Sequence, residues 1–201
     1  MFSKLFRTTT FLAAALLAGP AFAASWSLDG ESSHLAFGSV KKEKVGEVHS
    51  FSALTGAVTA AGNVNIEIGL NTVETWIDIR NERINEHVFG GEALATLTTQ
   101  IDMDELTAMT AGSTSVIDVE ATLSFLGQEV PLEAEMFVVR VSENKAIVST
   151  NDMIFLTTED LGIDAGIDTL MKLAKLPGIT RATPVTMRMV FNLDDQKAQA
   201  N

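Results

Sequence analysis

Three segments of the chain alternate apolar and polar residues with a period of two, and no other feature restricts its fold as tightly. Asn63 to Leu70 sends Val64, Ile66, Ile68 and Leu70 to one side and Asn63, Asn65 and Glu67 to the other. Ile117 to Phe125 sets Ile117, Val119, Ala121, Leu123 and Phe125 against Asp118, Glu120, Thr122 and Ser124. Val185 to Leu193 turns Val185, Met187, Met189, Phe191 and Leu193 to one face. Successive side chains of a strand point to opposite faces, so this pattern marks strands with one face in the core and one in water. Ser33 to Val40, Leu54 to Ala60, Thr96 to Asp102, Glu129 to Val141 and Lys145 to Met153 read as further strands, about eight in all. Gly127-Gln128 and Ser142-Glu143-Asn144 supply tight turns. Closely spaced antiparallel strands make the chain mainly β, a sandwich or a barrel.

Two segments break the alternation. Thr75 to Phe89 carries Ile77, Ile84 and Val88 at helical spacing. Thr158 to Lys175 lines up Leu161, Ile163, Ile167, Leu170, Met171 and Ala174 on one stripe, with Pro177-Gly178 as its stop. A barrel whose inward residues are Val, Ile, Leu, Met and Phe either fills its interior or keeps a cavity for one apolar ligand. Periodicity leaves both open, and the two short helices are expected at the mouth.

The first 23 residues have the layout of an export leader: Lys4 and Arg7, an apolar run from Phe11 to Ala18, and Ala21-Phe22-Ala23 as a small-x-small cleavage site. The domain is then expected over 24–194, with 195–201 as a flexible tail. Removing Lys4 and Arg7 takes the formal charge from −12 to −14. Such a balance excludes nucleic acid, which needs a basic footprint, and disfavours attachment to anionic head groups. Cysteine is absent, so an exported fold here rests on core packing alone. No second apolar span follows, and stable membrane insertion is not expected.

Catalytic signatures are missing. His34, His49 and His87 have no metal-ligand spacing, no serine sits in a GxSxG elbow, and no Gly-rich phosphate loop occurs. Arg80, Glu82, Arg83 and Glu86 stand at i,i+3 and i,i+4 spacings, which fits a surface ion-pair ladder. Alternatively, Arg80 or Arg83 caps the polar end of a ligand, with Trp76 and Phe89 as apolar shoulders of the mouth.

Trp26-Ser27-Leu28-Asp29 leads into Ser32-Ser33-His34-Leu35-Ala36-Phe37, and VGEVHSFSALTG follows with Gly46, Phe51 and Gly56. Next come Val73-Glu74-Thr75 with Arg80-Asn81-Glu82-Arg83-Ile84, the hairpin LSFLGQEVPL, and Glu159-Asp160-Leu161-Gly162-Ile163 before the closing strand. In this order, over Ala24 to Asp194 and behind a leader, these blocks resemble the YceI-like family. The resemblance implies an extended lipocalin-like barrel in the periplasm that binds polyisoprenoid or other long-chain lipids. Asn81 and Arg83 stand where that family more usually has Asp and His, and Val88-Phe89-Gly90 replaces a paired-aromatic segment. Both changes fall at the expected mouth, so the family's preferred ligand is not carried over.

The reading is therefore a periplasmic carrier for one long apolar molecule, a polyisoprenoid, isoprenoid quinone or fatty-acid derivative. Its wall is expected from Phe37, Ile66, Ile68, Leu123, Phe125, Met153, Phe155, Met187, Met189 and Phe191, and its mouth from Trp76, Arg80, Arg83 and Phe89. No catalytic residue, metal or cofactor is expected beyond a bound isoprenoid-type lipid, and a homodimer stays open. The rivals are a hydrolase or isomerase using Glu82 or Glu86 as base, and a closed structural or interaction domain. Cleavage is expected after Ala23 or one residue later. N-terminal sequencing of the exported protein checks it, and a start at Met1 in a membrane fraction overturns the leader.

Overall fold

Each alternating segment becomes a strand in the computed structural model, which describes residues 25–194. The expected leader and tail lie outside the described residues. In chain order the strands are β1 (Trp26–Leu28), β2 (His34–Lys41), β3 (Val45–Phe51), β4 (Leu54–Val58), β5 (Asn63–Gly69) and β6 (Val73–Glu74). They continue as β7 (Leu94–Gln100), β8 (Thr114–Phe125), β9 (Gln128–Ser142), β10 (Lys145–Thr150), β11 (Ile154–Thr157) and β12 (Ala182–Leu193). Three short helices accompany them: α1 (Asp78–His87), α2 (Met103–Ala108) and α3 (Asp164–Ala174). Among the described residues no helix is long and apolar enough to cross a membrane.

The strands close into the expected eight-stranded antiparallel barrel, in the order β1, β4, β5, β7, β8, β9, β10 and β12. The seam is β1, whose Trp26 lies opposite Val58 on one side and Leu193 on the other. β12 has a different neighbour at each half of each edge. Its C-terminal half pairs with β10 and β1, and its N-terminal half with β11 and β2. The β2–β3 hairpin and β6 thereby carry the wall beyond the ring, which elongates the barrel.

The helices sit at opposite ends. α2, which the sequence reading did not include, starts at Asp102, whose carboxylate accepts the Asp104 N–H at 2.8 Å. Its Met103 and Leu106, with Met109 just after it, close over one end of the barrel interior. α1 and α3 cross at the other end. The crossing requires Gly166, because a Cβ there would stand 2.5 Å from the His87 carbonyl oxygen. Beneath it Phe37, Phe51, Phe89 and Phe125 form a chain of rings with centroids 5.3, 6.1 and 6.0 Å apart.

Two expected inward residues are corrected. Met153 and Phe155 are 60% and 62% exposed, on the outer surface. The strand begun at Lys145 ends at Thr150, and pairing resumes with Ile154 opposite Val185. Directly opposed residues share a face, so buried Val185 draws Ile154 and Leu156 inward and turns Phe155 out. Met153-Ile154-Phe155-Leu156 contains no polar residue from which the parity could be read.

The register yields a direct test. Met189, 2% exposed, faces the interior, whereas Arg188 and Phe155 face out. Met189→Asp is expected to cost several kcal/mol in urea unfolding or to prevent folding, because it buries an unpaired charge. Arg188→Asp and Phe155→Asp are expected to cost about 0.5 kcal/mol or less. Equal losses in all three would overturn the strand assignment.

Candidate functional site

The inward faces do not fill the barrel. A chamber of about 450 Å³ lies under α1 and α3, and a smaller one of about 130 Å³ lies under α2. Both are walled by Ile66, Leu97, Leu132, Ile154, Met187 and Met189, so they adjoin at a waist in mid-barrel. In the smaller chamber only Thr99 and Arg140 are polar among the lining residues. The Arg140 guanidinium lies 4.6 Å over the Trp26 ring and donates to the Glu143 carbonyl at 2.6 Å.

Of the residues expected on the wall, Phe37, Ile68, Leu123 and Phe125 line the larger chamber and Phe191 the smaller one. Ile66, Met187 and Met189 border both. Of those expected at the mouth, Arg80 and Arg83 line the larger chamber. Phe89 lines it too, but as a buried floor residue between Phe51 and Phe125 rather than as a shoulder. Trp76 is off the wall, 81% exposed, on a left-handed backbone with φ of 62°. The larger chamber reaches solvent where Lys42, Ile77, Ile79, Ala174 and Thr180 are at once lining and exposed. This opening lies between the β2–β3 hairpin, the start of α1 and the end of α3.

Beside it stands a polar cluster of which the sequence reading placed only Arg80 at the mouth. β3 turns Glu47, His49 and Phe51 to the chamber and Val48 to solvent. The Glu47 carboxylate accepts Lys41 Nζ at 2.7 Å and an Arg80 guanidinium N–H at 2.7 Å. Arg80 also donates to the Thr75 carbonyl at 2.6 Å, and Asn81 accepts from the Thr75 N–H at 2.9 Å and hydroxyl at 2.5 Å. The start of α1 is thus bolted to β3. Burial alone would raise the Glu47 pKa, but the hydrogen bonds from Arg80 and Lys41 outweigh it and hold the carboxyl below its ordinary value.

His49 is 5% exposed, with Nε2 and the Ser39 hydroxyl 3.0 Å apart. Its Nδ1 and the Arg80 Nε are buried without a partner among the described residues. Burial, then the nearby Arg80 charge, lowers the His49 pKa, so the ring stays neutral. Among the described residues Arg83 makes no ion pair, which leaves a cation on the chamber wall.

The sequence spacing suggested a helix-surface ladder, yet Arg80 reaches across to Glu47 instead. Glu82 and Glu86, the carboxylates of the hydrolase reading, are exposed and absent from the chamber wall. The wall carboxylate is Glu47, engaged at both oxygens by cations.

A family model described as the YceI-like domain matches residues 26–191. Among solved structures, a polyisoprenoid binding domain from Saccharophagus degradans, implicated in plant cell wall breakdown, is 32% identical with a TM-score of 0.82. The match covers 84% of this chain and 98% of that one. BcnA from Burkholderia cenocepacia is 10% identical with a TM-score of 0.59, over 81% of this chain and 98% of its own. A mutant CJ YCEI protein for nanotechnology applications is 12% identical with a TM-score of 0.53, over 73% and 85%. These last two likenesses are of fold alone. No curated protein matches the sequence.

Neutral His49 makes stability depend on pH. Its folded pKa lies below the ordinary 6.5, so the unfolded chain binds the proton first and stability falls as the pH drops below that value. Glu47 acts lower: its stabilisation is present above the ordinary 4.5 and is lost as the pH falls through its depressed folded pKa. Urea unfolding from about pH 7.5 to about pH 5.5 should therefore show a smaller decline in His49→Gln than in the unsubstituted protein. Parallel declines would overturn the neutral, buried histidine.

Proposed function

This chain belongs to the YceI-like domain family, and we propose that it binds one long apolar molecule inside the barrel, without covalent chemistry of its own. The tail runs from the larger chamber past the waist at Met187 and Met189 toward α2, and the head stays near Arg83, His49 and Lys42. The observation that carries this reading is an interior that is apolar along its length and polar at one opening. The name of the 32% identical Saccharophagus domain, a polyisoprenoid binder, supports an isoprenoid tail over other long apolar molecules. Quinone and fatty-acid derivatives share the same tail chemistry. The leader at 1–23 supports export, and the periplasm is the proposed place of action.

The energetics suit a carrier. Tail burial contributes about 25 cal/mol for each Å² removed from water, and this term is indifferent to the head. Specificity then falls to the few polar groups at the opening. Glu82 and Glu86 stand outside the chamber and lend the hydrolase reading no support.

Native mass spectrometry after gentle purification is expected to retain a lipid. In titrations with a fluorescent polyene, Arg83→Gln should weaken a carboxylate-headed probe by about 1–3 kcal/mol and leave a headless probe unchanged. Met187→Trp fills the waist and should weaken both probes alike, with folding checked by melting. Tight binding that neither variant alters would place the ligand elsewhere and overturn the proposal.

A further inference from the structure

The opening of the larger chamber is ringed by two kinds of side chain, some of them lining the chamber and others facing solvent alone. The first is apolar and exposed. Trp76, Ile77 and Ile79 surround the start of α1, Val48 projects from β3, and Leu173 projects from α3. Glu74 pairs with Ser50, so the chain leaves β6 two residues later, at Trp76, beside the part of β3 that carries Val48. The second kind is basic: Lys41, Lys42 and Lys44 on the hairpin, Arg80 and Arg83 on α1, and Lys172 and Lys175 at the end of α3. The hairpin and the segment after α3 are joined, since the Lys42 N–H donates to the Gly178 carbonyl and Lys41 bridges to Ile179.

Acidic groups of the same elements are mostly neutralised or distant. Glu47 lies between Lys41 and Arg80, Arg181 holds Asp164 and Asp168, and Glu86 sits at the far end of α1 by His87. Glu43, Glu74, Asp78 and Glu82 remain, fewer than the cations just named, so the rim keeps an excess of positive charge in a chain whose formal charge is −12.

Trp76 adds an independent sign. The turn that gives it a φ of 62° is held by the Trp76 N–H donating to the Glu74 carboxylate and by the Thr75 bonds to Asn81 and Arg80, but the indole itself packs on little, so neither the core nor the chamber accounts for a tryptophan at this position. Tryptophan beside lysine is the composition of a surface that sits in the interfacial layer of a bilayer: the ring enters the head-group zone and ammonium groups meet phosphates.

We infer that this rim docks on a lipid surface carrying anionic head groups and seats the chamber opening against the bilayer. The negative total charge argues against such contact only when averaged over the surface, and the basic rim orients the molecule mouth-down. Docking rests on the rim itself. Its purpose, passing a lipid between membrane and barrel without exposing the tail to water, rests on the carrier reading.

The chain supplies its own reporter, because Trp26 is 6% exposed and Trp76 is 81% exposed. Vesicles of phosphatidylcholine with phosphatidylglycerol should co-sediment the protein and blue-shift its tryptophan emission, and phosphatidylcholine alone should do neither. Trp76→Phe should keep co-sedimentation and lose the shift. Trp76→Gly fits the left-handed backbone, so it should melt no lower than the unsubstituted protein yet bind vesicles about tenfold or more weakly. Lys42→Gln with Lys44→Gln should also lose about tenfold, and the loss should shrink in high salt. Absence of vesicle binding, or binding that survives both Trp76→Gly and the double lysine variant, overturns docking. So does size-exclusion evidence that Trp76→Gly disrupts a dimer while vesicles have no effect, since a second copy would then cover the rim. Met187→Trp separates the two readings: docking requires that it still bind vesicles, and the carrier reading requires that it take up less polyene.

Discussion

The whole architecture depends on the pairing of β12. Twelve residues hold four neighbours, two on each edge, and the change of neighbour along the strand turns a short closed ring into a long vessel. Met187 and Met189 project inward near this change, where β10 and β2 are both in register with the strand. Methionine suits the position, since an unbranched, polarizable side chain can move aside for a threading tail while keeping the wall apolar. One strand therefore determines the length of the cavity, its waist and the placement of the two ends.

Charge is used sparingly and where it costs most. Glu47 with Lys41 and Arg80 sits at the edge of an apolar chamber, and desolvating such a group consumes much of its Coulomb gain. Its net contribution to stability is correspondingly small. What it secures is position: the ion pair and the Thr75 and Asn81 hydrogen bonds hold the first turn of α1 against β3, which keeps the opening from collapsing onto the phenylalanines below. A greasy lid would pack more cheaply but would settle into the chamber.

Most of the fold was legible because burial on one face writes itself into the sequence as alternation. Asn63 to Leu70, Ile117 to Phe125 and Val185 to Leu193 show the pattern cleanly, and eleven-residue α3 shows its stripe. Elsewhere the signal fails for physical reasons. β3 carries Glu47 and His49 inward and Val48 outward, against the ordinary alternation, because this part of its inner face serves an opening rather than a core. The residues that shape the polar end of the chamber were thus hidden by their own function. Phe155 and Met153 lie in an unbroken apolar run with no parity to read. α2 is six residues long, too short for a periodic signature, and its only clue is the Asp102 cap. Trp76 could be named from the sequence, but which side of the rim it takes depends on a backbone angle that composition does not encode.

The seam has a consequence for how the molecule is made. β1 begins at Trp26 and β12 ends at Leu193, so the ring is closed by the first and last strands of the described chain, and Ser25 reaches Asp194 across 169 positions of sequence. Until β12 is available, β1 and β4 have a ready partner in each other but the sheet keeps two bare edges. Closure is the most non-local event in the fold and carries the largest loop entropy, so it comes late and sets the pace. A chain released from one end to the other must therefore wait, open-sided, for the dozen residues of β12 before it can hold anything.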